Sequence, residues 1–205
     1  MIKTNFKRLI LAGTMLCFSA GALAAESPDA LVKRTAEDVM AIVKNDKDIQ
    51  AGNQDKIFAL AEEKILPNFN FDRVSRLVLG KNWTKATPDQ KAAFQTEFRT
   101  LLLRTYATAL SKYKNQTIEY KPLRLADGAN TAAVKTVILQ PGGQPIAVDY
   151  ALEKHSDAWK VYDIVIEGVS LVTNYRGQFT QEIRQNGLDS LIKKLADKNS
   201  AAKAK

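Results

Sequence analysis

The apolar residues of this chain change period once, near Asn115, and that change limits what the chain can fold into. Before it they recur at helical spacing; after it they alternate. On the helical side, Ser27-Pro28-Asp29 reads as an N-cap with proline in the first turn. Leu31, Thr35, Val39, Ile42 and Val43 form a stripe behind it. Asn53 can cap a second helix carrying Ile57, Leu60, Ala61 and Ile65, stopped by Pro67. Asp72 can cap a short helix carrying Val74, Leu77 and Val78, with Gly80 at its end. The strongest start signal is the capping box Thr87-Pro88-Asp89-Gln90. The helix behind it is predicted to reach about Tyr113, with Phe94, Phe98, Leu101, Leu102, Thr105, Tyr106, Ala109 and Tyr113 on one broad face.

After the change, four strands are predicted, at about 117–125, 131–140, 145–154 and 158–167. Asp127-Gly128 and Pro141-Gly142-Gly143 separate the first three as hairpins. Ile146, Val148, Tyr150 and Leu152 share a face, and the last strand places Val161 with Val165 opposite Tyr162, Ile164 and Ile166. Helices then return, from about Ser170 to Ile183 and around Leu188, Leu191, Ile192 and Leu195, before a polar tail at 199–205 expected to be disordered. Helices, a four-stranded antiparallel sheet and helices again make an α+β fold in a single domain, residues 25–205.

The first residues set the compartment. Lys3, Lys7 and Arg8 precede the apolar run Leu9 to Ala20 and the small-residue site Ala22-Leu23-Ala24, which reads as a signal peptide cleaved after Ala24. Cys17 is the only cysteine and follows Leu16, where a lipoprotein signal needs a small residue. The mature chain is therefore expected to enter an oxidising compartment without a disulfide, relying on its own core. Loss of those three cations takes the formal charge from +8 to +5. On an exported chain this points away from nucleic acid and toward anionic headgroups, acidic partners or plain solubility.

Catalytic chemistry is poorly supplied. His155 is the single histidine, and its neighbours Ser156 and Asp157 cannot converge as a triad from adjacent positions, so a hairpin turn is the better reading. The chain lacks a zinc ligand set, a Walker loop and a dinucleotide fingerprint. Asp163 and Glu167 could do acid–base work, but as strand-end carboxylates they better suit cations or the N–H groups of the following helix start. No enzyme and no cofactor are expected. A protein-binding adaptor that holds no ligand stays open as an alternative.

The apolar residues remain to be explained. "EGVSLVTNYRGQF" (167–179) is rich in large side chains yet weak in helix and strand preference. Composition leaves two readings open, an interlocked core or a sheet and helices enclosing an apolar cavity. Three stretches go further: "ILPNFNFDRVSRLVLGKNW" (65–83), "ATPDQKAAFQTEFRTLLLRTYATAL" (86–110) and "WKVYDIVIEGVSLVTNYRGQF" (159–179). They resemble the periplasmic phospholipid-carrier family of the Mla (maintenance of lipid asymmetry) pathway, also called toluene-tolerance proteins, and the similarity covers nearly the whole mature chain.

That resemblance implies a sheet of nuclear-transport-factor-2-like (NTF2-like) character wrapped by helices, with phospholipid tails between them and the headgroup outside. It implies carriage between a lipoprotein–porin complex at the outer membrane and, at the inner membrane, an ABC-transporter complex with its MCE-domain subunit. The pocket expected on this basis takes Phe69, Phe71, Val74, Leu77, Phe98, Leu101, Leu102, Tyr106, Val148, Tyr150, Val165, Val169, Leu171, Val172 and Tyr175. Bound phospholipid would be the ligand. Residues 168–179 would then form the lip of the cavity, loosened by Gly168 and Gly177.

Overall fold

The computed structural model describes residues 26–112 and 115–203. The expected leader with Cys17, and Tyr113 and Lys114 beyond the long helix, lie outside the described residues. Helix α1 (Pro28–Asn45) starts on Ser27, whose Oγ accepts from the Ala30 N–H at 3.4 Å. A short α2 (Lys47–Gln50), not anticipated, is capped by Asp46 Oδ1, which accepts from the N–H groups of Asp48 and Ile49. Asn53 caps α3 (Gln54–Leu60). The predicted continuation to Ile65 is instead a π-helical turn (Ala61–Ile65) followed by a 3-10 turn (Leu66–Asn68). Pro67 explains the rearrangement, because it offers no N–H and its ring would crowd the carbonyl four residues back.

The cap of α4 (Phe71–Leu79) is Asn70 rather than Asp72. Its Oδ1 accepts from the Arg73 N–H at 3.1 Å, while its own N–H donates to the Val161 carbonyl at 2.9 Å and ties the helix start to the sheet. After α5 (Lys81–Lys85), both bonds of the capping box form at the start of α6 (Pro88–Tyr106). That helix stops at Tyr106, short of the predicted end, and α7 (Thr108–Ser111) follows a break at Ala107. Buried Ala107 packs in a different cluster from Phe98 and Leu101. The apolar stripe thus changes partner at the break, and Thr105 and Ala109, expected on it, are exposed.

The sheet has five strands, not four: β1 (Thr117–Tyr120), β2 (Thr131–Leu139), β3 (Ile146–His155), β4 (Ala158–Ile166) and β5 (Val169–Ser170), each antiparallel to the next in chain order. Strand β1 ends earlier than predicted because Pro122 has no N–H; the Lys121 N–H, donating to the Lys135 carbonyl, is the last of its bonds to β2. The fifth strand is a return of the chain through Glu167 and Gly168, both at positive φ (49° and 79°), a conformation glycine adopts without strain.

A bulge corrects the predicted faces of β4. Leu152 pairs with Val161 but Ala151 pairs with Asp163, leaving Tyr162 as an extra residue. Val161 therefore lies with Ile164 and Ile166, opposite to Val165. The inner face so assembled carries Tyr120, Val134, Thr136, Val148, Tyr150, Leu152, Val161 and Ile164. Lys135, Ala147, Asp149 and Val165 share the opposite face.

Three hydrophobic clusters, rather than one, hold the molecule together. Residues of α1 (Leu31, Val32) close over Val134, Leu152, Trp159 and Val161 on the inner face. Farther along, Val39 and Val43 of α1 join Ile49, Ile57, Leu60 and Ala107. The largest cluster joins α4 and α6 with α8 (Leu171–Asn186) and α9 (Leu188–Lys203). Its centre is a set of rings: Phe98 lies 5.1 Å from Tyr175 and 5.4 Å from Phe94 and from Phe179. Residues 199–203 of the predicted disordered tail are instead helical, since α9 runs to Lys203 and Asn199 is buried; 204 and 205 lie outside the described residues. The Asn199 Nδ2 donates to the carbonyl and to Oε2 of Glu97, which gives this polar residue a reason to sit inside.

Candidate functional site

The polar candidates have structural roles. His155 ends β3 and pairs with Ala158, so Ser156 and Asp157 form a two-residue hairpin turn with Ser156 at positive φ. Asp163 accepts from the Val172 N–H at 3.0 Å and from the Ser170 hydroxyl at 2.5 Å, holding the start of α8 against β4. Ser170 Oγ in turn accepts from the Thr173 N–H. Glu167 binds the Ala147 N–H through its carboxylate and the Ala147 carbonyl through its own N–H. Asp163 serves the start of the following helix, as expected of a strand-end carboxylate, whereas Glu167 binds the backbone of β3 instead. Among the described residues no group of three or more His, Cys, Asp or Glu side chains is placed to hold a metal ion.

The apolar candidates fall into two groups. Phe71, Val74, Leu77, Phe98, Leu101, Leu102, Tyr106, Val172 and Tyr175 come together in the helical cluster of α4, α6 and α8. Phe69 and Tyr150 belong to the cluster on the inner face of the sheet. Val148 lies on that same face and is buried. Leu171 is half-buried at the first position of α8. Val169 is 55% exposed, and Val165 occupies the other face. The two groups meet at the β4 edge: Phe69 bridges to Val161, and bulged Tyr162 packs into the helical cluster beneath the Arg73 guanidinium, 4.0 Å from its ring. Arg73 also pairs with Glu153, whose other oxygen accepts from Asn70 Nδ2 at 2.7 Å.

Two phenols report on these surroundings. Burial pushes the Tyr150 hydroxyl up to about 12, with nearby Tyr120 adding to the effect. Burial, followed by a hydrogen bond with Tyr106, pushes Tyr175 up to about 12 as well. Taken as whole residues, Tyr175 is buried and Tyr150 half-buried, though the Tyr150 hydroxyl end lies the deeper of the two.

The alternation that singled out Val148 and Tyr150 extends to residues left out of the expected pocket. Ile118, Ile138, Ile146, Ile164 and Ile166 share their face, and each is half-buried. Alternation was the available signal, but the bulge at Tyr162 hides it on β4. Elsewhere, an open hollow of about 610 Å³ near the end of α1 is lined by Ala41, Ile42, Asn45, Asp46, Lys47, Asp48 and Lys56, and takes in none of the expected residues.

This arrangement has counterparts. The phospholipid-binding protein from Ralstonia solanacearum, solved in complex with a phospholipid, superimposes with a TM-score of 0.81 at 39% identity, over 86% of this chain and 98% of that one. The intermembrane phospholipid transport system binding protein MlaC of Haemophilus influenzae is 28% identical over 204 residues, covering 95% of this chain and 92% of its own. Toluene tolerance protein ttg2D of Pseudomonas putida is 28% identical over 168 residues, 82% of this chain and 78% of its own. The family described as MlaC protein matches residues 33–197, which span α1 to α9 and the whole sheet. On that match the chain belongs to the MlaC family.

Proposed function

We propose that the protein is a periplasmic phospholipid carrier. It holds the acyl tails of a glycerophospholipid in an apolar, NTF2-like cavity between the inner face of the sheet and the helices. It shuttles that lipid between the lipoprotein–porin complex of the outer membrane and the ABC-transporter complex of the inner membrane, and so maintains outer-membrane lipid asymmetry. The observation that carries this reading is the likeness, over nearly all of its length, to a protein solved with phospholipid bound.

The geometry agrees with it. A domain of this size normally packs one contiguous core, whereas here three clusters are joined by the long helices α1 and α6. Half-buried isoleucines on the inner face offer apolar surface of the kind that tails require. Each methylene taken from water contributes about 0.8 kcal/mol, so two tails would leave unaided only slowly. Release then needs a partner that competes for the tails, and any energy input comes from outside a chain with no nucleotide motif. Binding, not catalysis, is the role. Among the described residues no helix is long and apolar enough to cross a membrane, in keeping with a carrier released into the periplasm by its leader.

The experiment is mass spectrometry of protein purified without added lipid, native and then denatured. Stoichiometric co-purifying glycerophospholipid is expected. Empty protein would overturn the carrier and favour the adaptor.

A further inference from the structure

Two phenols stand in the apolar inner face of the sheet beyond what packing requires. Tyr120 on β1 lies opposite Thr136, and Tyr150 on β3 lies opposite Val134, so the two share one face on the strands either side of β2, offset by two residues. Both pack against the cluster closed by Leu31 and Val32 of α1. The Tyr120 hydroxyl is buried and has no hydrogen-bond partner among the described residues. Thr136, opposite Tyr120, donates its hydroxyl to the Val148 carbonyl at 2.6 Å and makes no bond with the phenol. A buried hydroxyl left without a partner forfeits its hydration, which is why nearly all such groups are satisfied. Among the described residues none is placed to accept from Tyr120.

The chemistry of the missing acceptor is constrained. Burial raises the pKa of both phenols, so near neutral pH they are O–H donors. The charged group that bears on Tyr120 is the Glu37 carboxylate of α1. Glu37 is exposed and paired with Lys33, so the larger influence is burial: a desolvated site disfavours a charged acceptor such as a phosphate and suits an uncharged oxygen. Tyr150, half-buried on the same face, supplies the second phenol.

We propose that Tyr120 and Tyr150 form a donor pair for an ester carbonyl of the lipid's glycerol backbone. They would thereby read the ester linkage itself rather than the headgroup. This inference rests on the carrier reading.

The test is a competition. Delipidated full-length mature protein is reloaded from an equal mixture of dioleoyl phosphatidylethanolamine and its dialkyl-ether analogue, which keeps headgroup and tails but lacks both carbonyls. Bound lipid is then quantified by mass spectrometry. A preference for the ester of about 3- to 10-fold is expected, the range of one or two hydrogen bonds. It should fall toward parity in Tyr120→Phe with Tyr150→Phe, and part-way in each single variant. Each substitution removes one oxygen, and melting temperature checks that the fold is kept. Parity in the unaltered protein, or an undiminished preference in the double variant, overturns the donor pair while leaving the carrier standing. Failure of both lipids to load overturns the carrier and the donor pair together.

Discussion

Ser75 is fully buried in α4 among Val74, Val78 and Leu79, and its hydroxyl has no partner among the described residues. Its small side chain suits the site, but its oxygen does not. Ser75→Ala should be neutral or raise stability by up to about 1 kcal/mol, as urea unfolding would measure. Phe98→Ala, which removes the ring at the centre of the aromatic set, should cost about 3–5 kcal/mol. The two variants separate polarity from packing within a single cluster. Tyr150 and Tyr175 predict an alkaline limit. Each has a folded pKa of about 12 against an ordinary 10.0, so the fold favours the neutral phenol. Their contribution is whole below pH 10 and is lost as the pH rises toward about 12. Denaturant midpoints should fall across that window, and Tyr175→Phe should flatten the fall.

Helix α8 decides more than its weak propensity indicates. Its first turn is held by Ser170 and Asp163, and its buried face by Val172, Tyr175 and Phe179, so tertiary contacts override local preference. Gly177 lies outside that face, where an added Cβ would meet nothing within 4 Å. Gly177→Ala should therefore stabilise the helix by about 0.5–1 kcal/mol. If α8 forms the lip through which lipid passes, the same variant should release lipid to acceptor vesicles more slowly. A raised melting temperature with unchanged release would separate the helix from the exchange step. At this scale the starts of α1, α3 and α6 were legible in single residues, because a capping side chain bonds within its own turn. The α4 cap bond is equally local, but Asn70 and Asp72 both suited the role, and the choice follows the tie from the Asn70 N–H to Val161, 91 positions away.

Docking belongs to the whole molecule. Six cations near the short and long helices, Lys81, Lys85, Arg99, Arg104, Lys112 and Lys114, were candidates to steer it. The structure narrows them. Arg99 is exposed but pairs with Glu62 at 3.4 Å, the Arg104 guanidinium lies over the Phe58 ring, and Lys114 lies outside the described residues; Lys81, Lys85 and Lys112 are exposed. Reversing Lys81 and Lys85 to Glu should slow association with partner complexes more than it hastens dissociation. Association of the unaltered protein should weaken as salt rises, exposed charges being screened beyond about 8 Å at physiological ionic strength. Lipid content should stay constant, because apolar burial holds the tails. Surface plasmon resonance across a salt series, with parallel lipid counts, measures all three. Salt-independent association would reduce these cations to a role in solubility.

The sequence by itself determined the α+β class, the order of helices and hairpins, and the capping-box start of α6. These are written in contacts between residues a few positions apart. The three quoted stretches carried the family as well. The tertiary structure alone decided the rest: the bulge that turns Val161 to the inner face, the fifth strand, the division of the interior into three clusters, and the burial of Asn199 against Glu97. Apart from the fifth strand, which pairs with β4 across the tight turn at Glu167 and Gly168, each of these depends on a partner distant in sequence. A shift of one residue in register changes which face a side chain joins, and no local pattern records that shift.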